Sequence, residues 1–125
     1  MARYLFIVIT LTLAQPVFSQ SFTAFLENVK NLPVEQREGP MDSIMLAIKV
    51  FPLNETDTTA CFLYYGEANK VCLAGDETNW MPAVSFTNIP GTDYWYLKRT
   101  YPSQARLDYK IVVNDTLWML DPLNP

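Results

Sequence analysis

The sixteen residues Leu107–Pro122, LDYKIVVNDTLWMLDP, constrain the fold of this 125-residue chain more than any other stretch. Two apolar runs, Leu107–Val113 and Leu117–Leu120, flank a polar Asn114-Asp115-Thr116 link. Leu107, Tyr109, Ile111 and Val113 alternate with Asp108, Lys110, Val112 and Asn114, the period of a half-buried strand. Asn and Asp tolerate left-handed backbone angles, so the link predicts a hairpin turn of about three residues. Asp121-Pro122 ends the second strand, because proline has no N–H to give a ladder. An upstream partner for the hairpin is Val71–Asp76, which leads into Asn79-Trp80.

The N-terminus has the form of an export signal. Arg3 is its positive end, Tyr4–Leu13 is apolar but too short to span a membrane, and Pro16 breaks the run. Val17 and Ser19 hold the small-residue cleavage positions. Residues 1–19 are therefore expected to be removed, giving a secreted or periplasmic protein that starts at Gln20 and keeps no membrane segment.

Residues 20–53 predict a helical lead-in. Phe22, Phe25, Leu26 and Val29 form one helical stripe over Ser21–Asn31, with Ser21 as N-cap. Pro33 starts a new turn, and Gly39-Pro40 is expected to break the chain. Met41, Ile44, Met45 and Ile48 mark a second helix running to about Lys49, before Pro52. From Asn54 the period changes. Asn54–Asp57 reads as a linker, and residues 54–125 as a mainly β sandwich of about six or seven strands. Ala60, Phe62 and Tyr64 share one face of Thr58–Tyr65, and Val71 and Leu73 point inward from the next strand. Met81–Phe86 predicts a strand, Asn88–Thr92 a loop, and Asp93–Lys98 an aromatic strand.

The chain has no histidine, which removes most general-base, proton-shuttle and zinc chemistry. No G-x-S-x-G elbow, Gly-rich phosphate loop or metal-ligand cluster is present, so neither catalysis nor a cofactor is expected. Asp76-Glu77 and Asp108 read as turn and surface residues rather than an acid/base pair. A net charge of −4 with no basic run excludes nucleic acid as a partner. Cys61 and Cys72 both point away from the face carrying Phe62, Val71 and Leu73. Neighbouring strands would let them bridge; strands in opposite sheets, common in immunoglobulin-type sandwiches, would hold them too far apart and leave two free thiols. Asn54-Glu55-Thr56 and Asn114-Asp115-Thr116 match the N-glycosylation tripeptide, relevant only to a eukaryotic source. The binding candidates are Trp80, Trp118 and Lys110, where flat rings on turns or strand faces can stack on sugars. Aromatics in small β domains usually pack, so Trp80 is expected to close a turn over the sandwich edge and Trp118 to fill the core.

From Phe51 to Pro125 the chain resembles the N-terminal early-set, immunoglobulin-like module of secreted esterases of the enterochelin and feruloyl esterase type. Phe62-Leu63-Tyr64-Tyr65-Gly66, Val71-x-Leu73-Ala74-Gly75-Asp76, Asn79-Trp80 and Pro90–Tyr96 carry the resemblance. So do Tyr101-Pro102, Ala105–Lys110 and Leu120-Asp121-Pro122-Leu123-Asn124-Pro125. The module is also similar to family 48 carbohydrate-binding modules and to the glycogen-binding domain of AMP-activated protein kinase. By that resemblance Trp80, Lys110 and Trp118 are carbohydrate-binding residues, although Glu77 stands where an aromatic usually follows G-D. In the esterases an α/β-hydrolase catalytic domain follows Asp-Pro-Leu-Asn-Pro, and it would be the module's partner. The resemblance thus implies a non-catalytic accessory module of an esterase, present here as a fragment, a truncated product or a free module. The alternatives are an α-glucan-binding module, with polysaccharide as partner, and a stand-alone interaction domain.

Overall fold

The computed structural model describes residues 21–125, so the leader predicted over 1–19 lies outside the described residues. Ser21 opens helix α1, Phe22–Asn31, its Oγ accepting the Ala24 N–H at 3.1 Å. Phe22, Leu26 and Val29 are buried on the predicted stripe. A 3-10 turn, Val34–Gln36, follows Pro33, and helix α2 spans Glu38–Ile48. Gly39 and Pro40 lie inside the first turn of α2 instead of breaking the chain. A first-turn residue has no helical acceptor for its N–H, and the fixed φ of proline already suits a helix. Lys49 ends α2 in the left-handed region, φ 64°, returning its N–H to Met45 O at 3.0 Å.

Eight strands follow: β1 Leu53–Thr56, β2 Thr59–Tyr65, β3 Val71–Gly75, β4 Val84–Ser85, β5 Thr87–Asn88, β6 Tyr94–Thr100, β7 Tyr109–Val113 and β8 Leu117–Met119. They form two four-stranded antiparallel sheets, ordered β1-β2-β6-β5 and β4-β3-β7-β8. The additional strands come from stretches with weak sequence signals. Asn54–Thr56, expected as linker, belongs to β1, which pairs Leu53 with Cys61 and Asn54 with Ala60 at the first sheet's edge. The strand expected over Met81–Phe86 shrinks to β4. Phe86 then turns into the core between the sheets, giving its N–H to Val71 O at 2.8 Å. That inward turn carries the chain across to the other sheet, where β5 pairs Thr87 with Tyr96 and Asn88 with Trp95.

The layers follow from which faces are apolar. Ala60, Phe62 and Tyr64 of β2 and Trp95 and Leu97 of β6 meet Val71 and Leu73 of β3 and Ile111 and Val113 of β7 between the sheets. The opposite face of the first sheet is also apolar, through Cys61, Leu63 and Tyr94. The two helices cover it with Phe22, Leu26, Val29, Met41 and Ile44. Helices, first sheet and second sheet therefore make three layers, and β2 is buried on both faces, as a central layer requires.

Long-range polar contacts fix the helical layer. Arg37 donates to Lys30 O at 2.9 Å, Leu32 O at 3.1 Å and Pro90 O at 3.0 Å, joining the end of α1 to the β5–β6 loop. In that loop Gly91 has φ +85° and lies against Val34, leaving no room for a Cβ. Tyr94 OH donates to Asp42 of α2, and burial with that carboxylate raises the phenol pKa.

The organising hairpin forms as its pattern dictates. Asn114 and Asp115 take φ 53° and 60°, and Thr116 N–H returns to Val113 O at 3.2 Å. β7 pairs with β3 over five residues, Val71 opposite Val113 through Gly75 opposite Tyr109. Among the described residues no helix is long and apolar enough to cross a membrane.

Candidate binding face on the second sheet

The outer face of the second sheet is built by strand parity. On β7, Ile111 and Val113 face the core, so Lys110 and Val112 face outward. Val112 pairs with Cys72 on one side and Trp118 on the other, and Lys110 pairs with Ala74. Cross-strand partners share a face, so Trp118 stands in one row with Val112 and Cys72, and Lys110 lies on the diagonal, about 7–8 Å away. Met119, the neighbour of Trp118, packs into the inter-sheet core. Trp118 accordingly points away from the core and is 41% exposed. The expectation that it fills the core is wrong. β8 is an edge strand of only three residues, and its alternation assigns the inward place to Met119.

Trp80 sits where the turn over the sandwich edge was expected. A 3-10 turn, Asp76–Thr78, leaves β3, Asn79 and Trp80 take φ 52° and 60°, and Trp80 N–H closes on Gly75 O at 2.9 Å. Trp80 is 43% exposed. Gly75 is required here, since a Cβ would run into Asp108 O and Tyr109. The ends of β3 and β7 therefore meet closely beside Trp80. Met81, Leu117 and Leu120 are exposed as well, so the Trp80 turn and the β8 edge are a concentration of solvent-facing apolar groups. Cys72, Ala74 and Val112 nevertheless form a small buried cluster on this face.

Glu77 takes no part in the face. It accepts from Arg99 Nη2 at 3.4 Å and from Tyr101 OH at 3.1 Å, so it ties the β3 turn to the far end of β6. Burial and the Glu77 charge push the Tyr101 phenol up to about 12. Cys61 and Cys72 are free and belong to different sheets. Both face away from the inter-sheet core, and both are buried, Cys61 beneath α1. Burial, with the nearby Glu55 charge, raises the Cys61 thiol to about 12. Among the described residues no group of His, Cys, Asp and Glu is placed to hold a metal ion.

One polar constellation escaped the sequence pattern. Asp121 is buried, accepting from Tyr109 OH at 2.7 Å and from Leu123 N–H at 2.9 Å, while Asn124 donates to Tyr109 OH at 3.1 Å. Burial raises the Asp121 carboxyl, with both donors opposing the rise. The available signal was Asp before Pro, which reads equally as a plain strand stop. These contacts turn the last residues back, so that Leu123 packs on the helical core and accepts the Phe51 N–H at 3.0 Å.

The fold defines a β-sandwich-like domain of mixed, mainly β class, two helices lying on one of its sheets. No protein-family model matches the chain, and no curated protein matches it.

Proposed function

We propose that the chain is a non-catalytic accessory module of a secreted α/β-hydrolase-type esterase, with the catalytic serine, acid and histidine on a separate domain. The observation that carries this reading is the corner where Gly75, Tyr109, Asp121 and Asn124 meet. Those residues come from three separated parts of the pattern that resembles esterase modules, and they are joined by close packing and hydrogen bonds. A chain without histidine has no ordinary base for a serine or cysteine nucleophile. The purified chain is expected to leave p-nitrophenyl and feruloyl esters intact. The coding sequence following the Pro125 codon is expected to contain an α/β-hydrolase frame with a G-x-S-x-G elbow. Turnover abolished by a point substitution within this chain, or a following sequence with no such frame, overturns the proposal.

A second reading, α-glucan binding, is favoured by the exposure of Trp80 and Trp118 with Lys110 on the face of Trp118. Each stacked ring adds on the order of 1 kcal/mol beyond area burial, and docking a flexible chain costs more than that. With Glu77 committed elsewhere, titration of maltoheptaose is expected to give little heat. A micromolar dissociation constant, lost in a folded Trp118→Ala variant, would make this face a carbohydrate-binding site.

A further inference from the structure

One cavity among the described residues lies away from Trp80, Lys110 and Trp118. It opens at the end of the sandwich, between the β1–β2 turn and the loop Pro102–Leu107, with a volume of about 520 Å³. That is within the range of small-molecule sites, roughly 300–1,000 Å³. We propose that this cleft is a binding site for an uncharged glycosyl unit.

The lining chooses the ligand class. Asp57 is its one charged side chain, so an anion would find no countercharge and a divalent cation no second carboxylate. A wholly apolar ligand would strand the hydroxyl and amide groups of the rim in a dry interface. That rim includes Asn54, Thr59, Ser103 and Gln104, neutral side chains that carry both donors and acceptors. Tyr101 and Tyr109 supply aromatic wall, and both phenols are already held, by Glu77 at 3.1 Å and by Asp121 at 2.7 Å. The rings are thus fixed before a ligand arrives, which reduces the ordering cost of binding. Neutral amides and hydroxyls beside fixed ring faces match a pyranose, which has equatorial hydroxyls at its rim and C–H groups on its faces.

This site is independent of the esterase reading and of the second sheet's outer face. The test is amide chemical-shift titration of the ¹⁵N-labelled full chain with methyl β-D-glucopyranoside, methyl β-D-xylopyranoside and methyl β-D-glucuronide. The neutral glycosides are expected to shift Thr58, Ser103 and Gln104, and the glucuronide to bind several-fold more weakly beside Asp57. Ala105→Trp, which fills the cleft from an exposed loop, is expected to abolish the shifts. Gln104→Ala is expected to weaken them several-fold, and Trp118→Ala to leave them unchanged. No saturable shift at the cleft with either neutral glycoside overturns the proposal. So does equal binding of the glucuronide, or a response that follows Trp118 instead of Ala105 and Gln104.

Discussion

Glu55 bonds the start of helix α1 to the first sheet, and removing it tests the three-layer arrangement directly. It stands on β1 with its side chain 10% exposed. Its carboxylate accepts the Thr23 N–H at 2.6 Å, Thr23 Oγ1 at 2.9 Å, and lies 3.4 Å from Lys98 Nζ. Thr23 is in the first turn of α1, where N–H groups lack helical acceptors, and Ser21 satisfies only Ala24. Glu55 thus completes the cap from a different element and places a negative charge at the positive end of the helix dipole.

Hydrogen bonds to a charged group contribute about 1.5–3 kcal/mol each when buried, and partial exposure here lowers that. The dipole adds about 0.3–1 kcal/mol, and the half-exposed Lys98 pair little. Glu55→Ala is therefore expected to cost about 2 kcal/mol, which for a domain near 100 residues lowers Tm by roughly 8–16 °C. Glu55→Gln, keeping one acceptor, is expected to lose about half of that. The pH dependence separates charge from shape. Burial raises the Glu55 carboxyl, but the Thr23 and Lys98 donors outweigh it, and the net pKa falls below the ordinary 4.5. A lowered carboxyl contributes stability that is present above 4.5 and is lost as pH falls through the folded value. Melting curves by circular dichroism should show the wild-type advantage over Glu55→Gln in full at pH 7 and shrinking below pH 4.5. Equal melting of wild type and Glu55→Ala at neutral pH, or a gap to Gln that does not change with acid, would refute the reasoning.

Other perturbations address the remaining contacts. Gly91→Ala places a Cβ into Val34 at φ +85°, and should cost at least about 1 kcal/mol in a denaturant midpoint measurement. Arg37→Lys should be destabilising nearly to the level of Arg37→Ala, because an ammonium cannot reach the Lys30, Leu32 and Pro90 carbonyls as a planar fork does. Trp118→Ala should cost clearly less than the roughly 3–5 kcal/mol of a core tryptophan. A larger loss on thermal melting would return Trp118 to the core. Cys61 and Cys72 should resist a thiol reagent in the native protein and give two reactive thiols after unfolding without reductant; no reactive thiol at all would mean they are bridged.

The legible parts of the fold are those whose pattern is local. α1 was visible in its Phe22–Val29 stripe, and the β7–β8 hairpin in its alternation and its Asn114-Asp115 turn. Inward faces followed from period two, so Phe62, Val71, Leu73, Ile111 and Val113 were placed correctly in the core. β1 and β5 were lost because their strand character comes from a partner: Asn54 and Thr87 have no apolar pattern and are extended only where β2 and β6 offer a ladder. Gly39-Pro40 misled because the same dipeptide serves a break and a helical first turn.

The second sheet's outer face shows where a parity argument stops. Parity alone places Cys72, Ala74 and Val112 on the side away from the core, and alternation would then make them solvent-facing. Instead they are buried, each at 1% exposure or less. Among the described residues neither helix covers them, because both pack on the opposite sheet. In register, Trp118 stands beside Val112 in the same row, Lys110 opposite Ala74, and Trp80 at the Gly75 end. Parity therefore fixes which face a residue takes, while its depth on that face depends on neighbours the alternation does not name: Val112 is buried, and Trp118 in the same row stays 41% exposed.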